Sequence, residues 1–418
     1  MERLSRFNSQ IKPNRGIRRL GVPGTKADDD VVIVSALRTP LCRANKGGLK
    51  DTQPELLLAH VFKAVLKDAN VDSKIVEDIQ CGNVLMPGAG ALIVRQAQLM
   101  CGMDIKTPVA SINRQCSSGL EACAIIAAKI KSGIIECGIG AGVESMSLFD
   151  MQGMVDPNKL SDDIFEHEGA ANCLMPMGQC SEILTEKYGL TRENLDKFAY
   201  ESQVKARQAR DNGWFKEEIA PITVKRVNPK TKQEETITVQ HDDGIRDNIS
   251  LEKLGKLKPS FKPTGFSHPG NSSQLTDGAA AVLLMSRKMA NKLGLKVIGK
   301  FVSHAVVGMA PELMGIGPAE AIPIAVSDSG LKISDIDLFE INEAFASQCT
   351  YCIDYLKLDY KKVNPKGGAI AIGHPLGCTG ARMFGTLLTE LKRTNSKYGV
   401  ISMCIGTGMG AAAVIERE

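Results

Sequence analysis

The chain has 418 residues, long enough for two or three domains with sizeable cores. A hydrophobic fraction of 43% and a charged fraction of 23% are ordinary for a globular protein, and the apolar runs are too short to argue for a membrane span. The net charge of +4 comes from residues 1–26, where seven Arg and Lys face Glu2 alone; the remaining 44 basic and 46 acidic residues give a nucleic-acid-binding body no support.

The tail, residues 1–28, reads as a solvated extension or a targeting segment. Twelve cysteines are too sparse for a disulfide scaffold, and Cys123 and Cys137 sit in apolar surroundings. Cys349 and Cys352 have no second pair or histidine cluster beside them, so no metal site is expected and a reducing compartment fits.

Strand and helix signals then alternate, which predicts an α/β protein. Leu66 to Asn83 reads as a helix end, a turn and a short strand. Asn113-Arg-Gln-Cys-Ser-Ser-Gly-Leu120 is a turn that feeds a helix of small apolar residues, so Cys116 stands at a helix start. Unpaired N–H groups and the helix dipole favour a thiolate there, and a lowered thiol pKa is the expectation. Residues 146–275 are rich in Met, Asp, Lys and Asn, with a polar helix over Arg192–Asn212 and a hairpin over Ile222–Val239. Gly270-Asn-Ser-Ser273 follows, and Ala279–Met285 reads as a buried strand. Val326 to Asn342 repeats the outline of Leu66 to Asn83. Gly373-His-Pro-Leu-Gly377 places His374 at a second loop-to-helix junction, and Cys404 begins a glycine-rich turn, Cys404-Ile-Gly-Thr-Gly-Met-Gly410.

The repeat is quantitative. An offset of 259 lays Asn83 on Asn342, and one of 258 lays Cys116 on His374 and Gly119 on Gly377; Gly140-Ala-Gly142 pairs with Gly406-Thr-Gly408. Two halves of one topology follow, with a nucleophile and a base at equivalent helix starts. The expected division is a tail (1–28), a first half (29–145 plus 276–295), an inserted lid or substrate-binding region (146–275) and a second half (296–418). A thiol, a histidine and a second thiol read together as covalent acyl chemistry on sulfur.

From Val31 to Glu418 the chain resembles the thiolases. The resemblance rests on Asn113–Gly119, Gly140-Ala-Gly-Val-Glu-Ser145, Gly270–Ser273, Asn342-Glu-Ala-Phe345, Gly373–Gly377 and Cys404–Gly410, in that order. Within the family it is most similar to the degradative 3-ketoacyl-CoA thiolases of peroxisomes. That likeness implies two α/β halves in five αβαβα layers, and it implies roles. Cys116 would accept the acyl group, His374 would take its proton, and Cys404 would be the second acid/base. The backbone N–H groups of Cys116 and Gly406 would form one oxyanion hole; Asn342, holding a water, and His374 would form another. Ser273 would contact the pantetheine arm of coenzyme A and Arg246 its adenine or phosphate end. Coenzyme A would be a co-substrate, with no permanently bound cofactor and no metal, in a homodimer.

Arg3-Leu4, five residues, then Gln10-Ile11 resembles the amino-terminal peroxisomal targeting nonapeptide, read by an import receptor; Ile11 departs from its usual last position. The Arg-rich tail leaves the mitochondrial matrix as the alternative. Three other functions remain to be weighed. An acetoacetyl-CoA thiolase would differ in pocket shape. A decarboxylating ketoacyl synthase would pair the nucleophile with two histidines or with His and Asn. A non-catalytic CoA or lipid carrier would lack one of Cys116, His374 and Cys404.

Overall fold

The computed structural model describes residues 19–151, 156–228 and 230–418, so the motif from Arg3 to Ile11 lies outside the described residues. The strands are β1 (Val31–Arg38), β2 (Cys42–Arg43), β3 (Asp78–Gly82), β4 (Val109–Ile112), β5 (Cys137–Ser145), β6 (Ile222–Val227), β7 (Glu234–Val239), β8 (Thr276–Ser286), β9 (Gly299–Gly308), β10 (Leu338–Ile341), β11 (Tyr398–Ile405) and β12 (Met409–Arg417). One sheet runs β4-β3-β5-β8-β1-β9-β12-β11-β10, with β2 added on β8; β6 and β7 form a separate hairpin.

That order is a duplication. In the first half β3 and β5 are parallel, and β5, β8 and β1 are antiparallel neighbours. In the second half β10 and β11 are parallel, and β11, β12 and β9 are antiparallel neighbours. On its other side β3 pairs in parallel with β4; the counterpart in the second half is a single parallel bridge between Phe339 and Val363. The halves meet where Val32 pairs with Lys300 and Ile33 with Gly299.

Side chains alternate along a strand, so each strand serves two cores. Ile33 of β1, Val282 and Leu284 of β8, Met403 of β11 and Ala413 of β12 face a central core. That core also holds Leu120 and Ala127 of the Ser118–Lys131 helix and Ala381 and Phe384 of the Leu376–Arg393 helix. Val32, Val34, Ala281 and Leu283 face the opposite way, onto the Pro54–Asp68 helix. Val400, Ala412 and Val414 face the Gly317–Ser329 and Ala346–Leu356 helices. The central core wraps both faces of a middle layer of two helices, and the two outer cores lie beyond the strands, which gives five layers.

Those two central helices meet nearly backbone to backbone. A Cβ on Gly119 would come 2.6 Å from the Gly377 carbonyl oxygen, and one on Gly380 would run into the Leu120 main chain. Glycine is needed there for space, against a helix-propensity cost of about 1 kcal/mol. The result fixes the two helix starts beside each other at the seam between the halves.

Residues near the start of the described chain are tied to the second half. Leu20 N–H donates to the Val302 carbonyl at 2.7 Å, and the buried Lys300 ammonium donates to the Val22 and Thr25 carbonyls, each at 2.7 Å. Between β5 and β8 the chain leaves the layers for the Met177–Tyr188 helix, the Arg192–Asp211 helix and the β6–β7 hairpin. Thr191 caps the longer helix, its hydroxyl accepting from Asn194 N–H at 3.3 Å.

Candidate active site

The turn before the Ser118–Lys131 helix is held by its own polar groups. Ser118 Oγ donates to the Gln115 carbonyl at 2.6 Å and accepts from Arg114 N–H at 2.9 Å. Gln115 takes a left-handed φ of 47°, which a glutamine adopts only under constraint. Cys116 follows it, half-buried, two residues before the first helical position. It packs on a small apolar cluster of Val84, Leu85, Met146 and Leu376, with Ala44 and Phe149 at its edge.

The expected low thiol pKa is overturned. Burial pushes Cys116 up to about 11, outweighing the N–H groups of Gly406 and of Cys116 itself, which reach the sulfur and favour its anion. The helix start supplies donors, but the apolar cluster removes water. Cys116 therefore rests as a thiol.

His374 enters on a turn that only glycine can make. Gly373 has φ of 100°, and a Cβ there would strike the Thr276 hydroxyl. His374 N–H donates to the Gln274 carbonyl at 3.1 Å and to Thr276 Oγ1 at 3.2 Å. Its ring nitrogens then sort themselves. The Thr379 hydroxyl donates to the Pro375 carbonyl at 3.1 Å, so at 2.7 Å it accepts from His374 Nδ1–H. Nε2 keeps its lone pair and faces the Asn342 amide Nδ2 at 3.3 Å. Burial, and then the Arg382 charge, lower the imidazole to about 3. His374 is thus neutral, with Nε2 as its proton acceptor.

Asn342 sits in the link between a strand and a helix. It directly follows β10, which ends at Ile341, and the next helix begins at Ala346 behind Phe345. Its side chain is buried and its Oδ1 has no hydrogen-bond partner among the described residues. Glu343 beside it is buried and accepts from Ser202 Oγ at 2.6 Å, Asn364 Nδ2 at 2.9 Å and Ile370 N–H at 3.1 Å.

Cys404 lies one residue before the end of β11, opposite Gly410 of β12. Burial first, and the neighbouring Cys116 sulfur second, raise its thiol well above the ordinary value. Gly406 opens the turn between these strands. A Cβ added there would stand 3.3 Å from Met177 Sδ and 3.8 Å from Gln115 Cγ, so the close approach at Gly406 is to side chains. The fold thus gathers Cys116, His374, Cys404, Asn342 and Gly406 at the seam.

Ser273 and Arg246 lie progressively farther out. Ser273 is half-buried, its N–H donating to the Ala344 carbonyl at 3.0 Å. Arg246 is exposed; its N–H donates to Gln203 Oε1 at 2.9 Å, and the charge of Arg43 acts on its guanidinium. Gln274 joins these parts. Its Nε2 donates to the carbonyls of Gly244 at 3.0 Å, Ile370 at 2.9 Å and Ala371 at 3.0 Å, while its own carbonyl holds His374. Gln274, Thr276 and Thr379 escaped the reading of the sequence; the first two stand directly after the Gly270–Ser273 motif, and Thr379 lies one turn beyond His374. A cleft of about 570 Å³ between the Pro54–Asp68 helix and β6–β7, lined by Leu56, His60, Met100 and Val227, contains none of these groups.

The duplicated layers and this seam define a known class. Residues 31–288 match the family model of the thiolase N-terminal domain, and residues 295–417 that of the thiolase C-terminal domain. The chain belongs to the thiolase family. It is 52% identical over 397 residues to the human peroxisomal 3-ketoacyl-CoA thiolase, covering 95% of this chain and 92% of that protein. The crystal structure of the dimeric peroxisomal thiolase of Saccharomyces cerevisiae superposes with a TM-score of 0.87 at 44% identity, covering 94% of this chain and 99% of that one. A second structure of peroxisomal 3-ketoacyl-CoA thiolase from that yeast is described as five layers built from two core domains of identical topology; it matches at 41% identity with a TM-score of 0.77, over 94% of this chain and all of that one.

Proposed function

We propose that this chain is a 3-ketoacyl-CoA thiolase that cleaves 3-ketoacyl-CoA with coenzyme A in fatty acid β-oxidation, releasing acetyl-CoA and a shortened acyl-CoA. The observation that carries the reading is that both thiols meet beside the Gly406 N–H, with a neutral imidazole entering at the adjoining helix start. Cys116 sulfur attacks the 3-keto carbon while His374 Nε2 takes its proton, and the N–H groups of Cys116 and Gly406 receive the new oxyanion. The bond between C2 and C3 then breaks toward C2. The acyl group stays on sulfur as a thioester, and the departing acetyl-CoA enolate is met by the Asn342–His374 pair. Cys404 protonates C2 and becomes a thiolate. It next takes the proton of incoming coenzyme A, whose sulfur attacks the acyl group. Cys116 leaves as a thiolate and recovers its proton from His374, so the cycle closes with no net change in the enzyme.

Residues 146–275 serve as the coenzyme A-binding insertion in this reading, with Ser273 on the pantetheine arm and Arg246 at the phosphate or adenine end. Coenzyme A is the co-substrate, and the steps call for no resident cofactor. The apolar cluster beside Cys116 gives an acyl chain dry surroundings. A series of substrates from acetoacetyl-CoA to long-chain 3-ketoacyl-CoAs is the deciding experiment. We expect kcat/KM to rise beyond acetoacetyl-CoA; activity confined to acetoacetyl-CoA sinks the reading.

The enzyme works in the peroxisome as a homodimer, in line with its relatives, and its tail engages the import receptor. A fluorescent reporter fused to residues 1–30 should enter peroxisomes and lose that import with Arg3→Glu. Mitochondrial staining refutes this address.

A further inference from the structure

The motif Gly140–Ser145 donates no group to the steps above, yet its carboxylate lies between the halves. Glu144 stands near the end of β5, in the half that carries Cys116, and is wholly buried. Its Oε2 accepts from Gly377 N–H at 2.9 Å and Val84 N–H at 3.1 Å; Oε1 accepts from Asn83 Nδ2 at 2.8 Å and Leu85 N–H at 3.2 Å. Gly377 lies in the first turn of the Leu376–Arg393 helix, three residues after His374. Asn83 is itself fixed, donating to the Val143 carbonyl and accepting from Met86 N–H, both at 2.9 Å. The backbones around this contact touch: a Cβ on Gly142 would collide with the Gly377 carbonyl, and one on Gly377 would come 2.6 Å from the Asn83 Cα.

We propose that Glu144 is a positioning residue whose carboxylate ties the His374-bearing helix start to the Cys116 half and so sets the imidazole-to-thiol distance. The inference rests on the thiolase reading for its kinetic consequence. The first N–H groups of a helix have no partner within it and favour an anion, and here that anion comes from the opposite half. All four partners are donors, so a protonated carboxyl would turn its O–H toward a donor and release part of the tie.

Burial raises the Glu144 carboxyl to about 7, with the four donors holding it down. Burial also raises Asp277 on β8, Glu121 on the Ser118–Lys131 helix and, to about 8, Glu340 on β10, which pairs with Arg382 of the Leu376–Arg393 helix; the limb that belongs to Glu144 is the one that a change at Glu144 removes. Burial pushes Cys116 up to about 11, Cys378 on the Leu376–Arg393 helix up to about 12 and Cys81 on β3 well above the ordinary value; His374 is pushed down to about 3. Asp277 on the adjacent β8 turns to Ser147 instead. Turnover should therefore fall as pH drops through about 7. Unfolding is not the cause: a carboxyl raised in the folded state takes up its proton more readily than in the unfolded chain, so this group adds stability as pH falls.

Glu144→Gln tests the tie by replacing one acceptor oxygen with a donor. Thiolysis kinetics across pH and iodoacetamide labelling of Cys116, followed by intact mass, are the readouts. The variant should lose on the order of 10²-fold in kcat with KM unchanged, the effect of a small misplacement of reacting groups. Its acid limb near neutrality should vanish. Labelling should reach half its maximal rate at lower pH, because a negative charge beside the sulfur is gone. Wild-type kcat in the variant, a retained acid limb or an unmoved labelling midpoint overturns the proposal. Should Glu144→Gln fail to fold, Glu144→Asp keeps the charge and should keep the limb at reduced kcat, and a wild-type profile without that limb is sufficient to overturn it. Wild-type protein that is labelled at Cys116 but cleaves no 3-ketoacyl-CoA refutes the thiolase reading instead, and the labelling midpoints still decide the tie.

Discussion

Cys116→Ala should abolish thiolysis and with it the covalent intermediate. Incubated with a 3-ketoacyl-CoA and no free coenzyme A, the wild-type protein should gain the mass of one acyl group, because the first half-reaction then runs without the second. The variant should gain none. The physical reason is specific to this seam. The sulfur is the atom toward which the N–H groups of Gly406 and Cys116 converge, and alanine leaves those donors facing a methyl group. Neighbouring sulfurs do not substitute. Cys404 is held at the end of β11, and Cys123 faces the central core five residues into the helix. The loss should reach several orders of magnitude, since removing a covalent nucleophile leaves only binding and oxyanion stabilisation. An acyl adduct on the Cys116→Ala protein would falsify the assignment of the nucleophile.

Much of this was legible in the sequence for one reason: the fold uses its glycines where backbones touch. Gly119 and Gly377 stand at equivalent places in the repeat, and in the structure each is the contact point of a central helix. Gly373, Gly406 and Gly408 mark the turns that carry His374 and follow Cys404, so local motifs sufficed to find both residues. What escaped were groups whose meaning is set by distant partners. Glu144 meets Gly377 across 233 residues, and Gln274 meets Gly244 and Ala371 on either side of it in the chain. No periodicity or spacing encodes such pairs. Spacing alone does not place Asn342, because only four residues separate the end of β10 from the Ala346–Leu356 helix. The Cys116 thiol went against the local argument: helix-start donors favour the anion, but the cost of burial is larger. Local chemistry predicts the donors around a group; only the packed structure says how much water is left.

Cys404→Ser should fail at a different step from Cys116→Ala, and that separation is the sharper test of the mechanism. A serine hydroxyl is nearly isosteric but far less acidic, so it neither gives a proton to C2 of the enolate nor takes one from coenzyme A at a useful rate. Acylation of Cys116 from a simple acyl-CoA reverses the last step, and its leaving group is a stable thiolate that departs without first taking a proton from Cys404, so this step should survive. Carbon–carbon cleavage should fall by roughly 10²–10⁴, the usual range for a lost acid/base. The geometry supports such a division. Cys404 lies on β11 of the second half and Cys116 on a turn of the first, yet the Cys116 sulfur is the foremost neighbour acting on the Cys404 thiol after burial. Rapid-quench measurement of Cys116 acylation, beside steady-state thiolysis, separates the two steps. The variant should acylate from a simple acyl-CoA at close to the wild-type rate while its thiolysis collapses. If thiolysis in Cys404→Ser stays near wild type, the proton comes from elsewhere and Cys404 is a packing residue at the end of its strand. If acylation collapses as well, the two thiols act as one unit in the first step, and the division of labour drawn here is wrong.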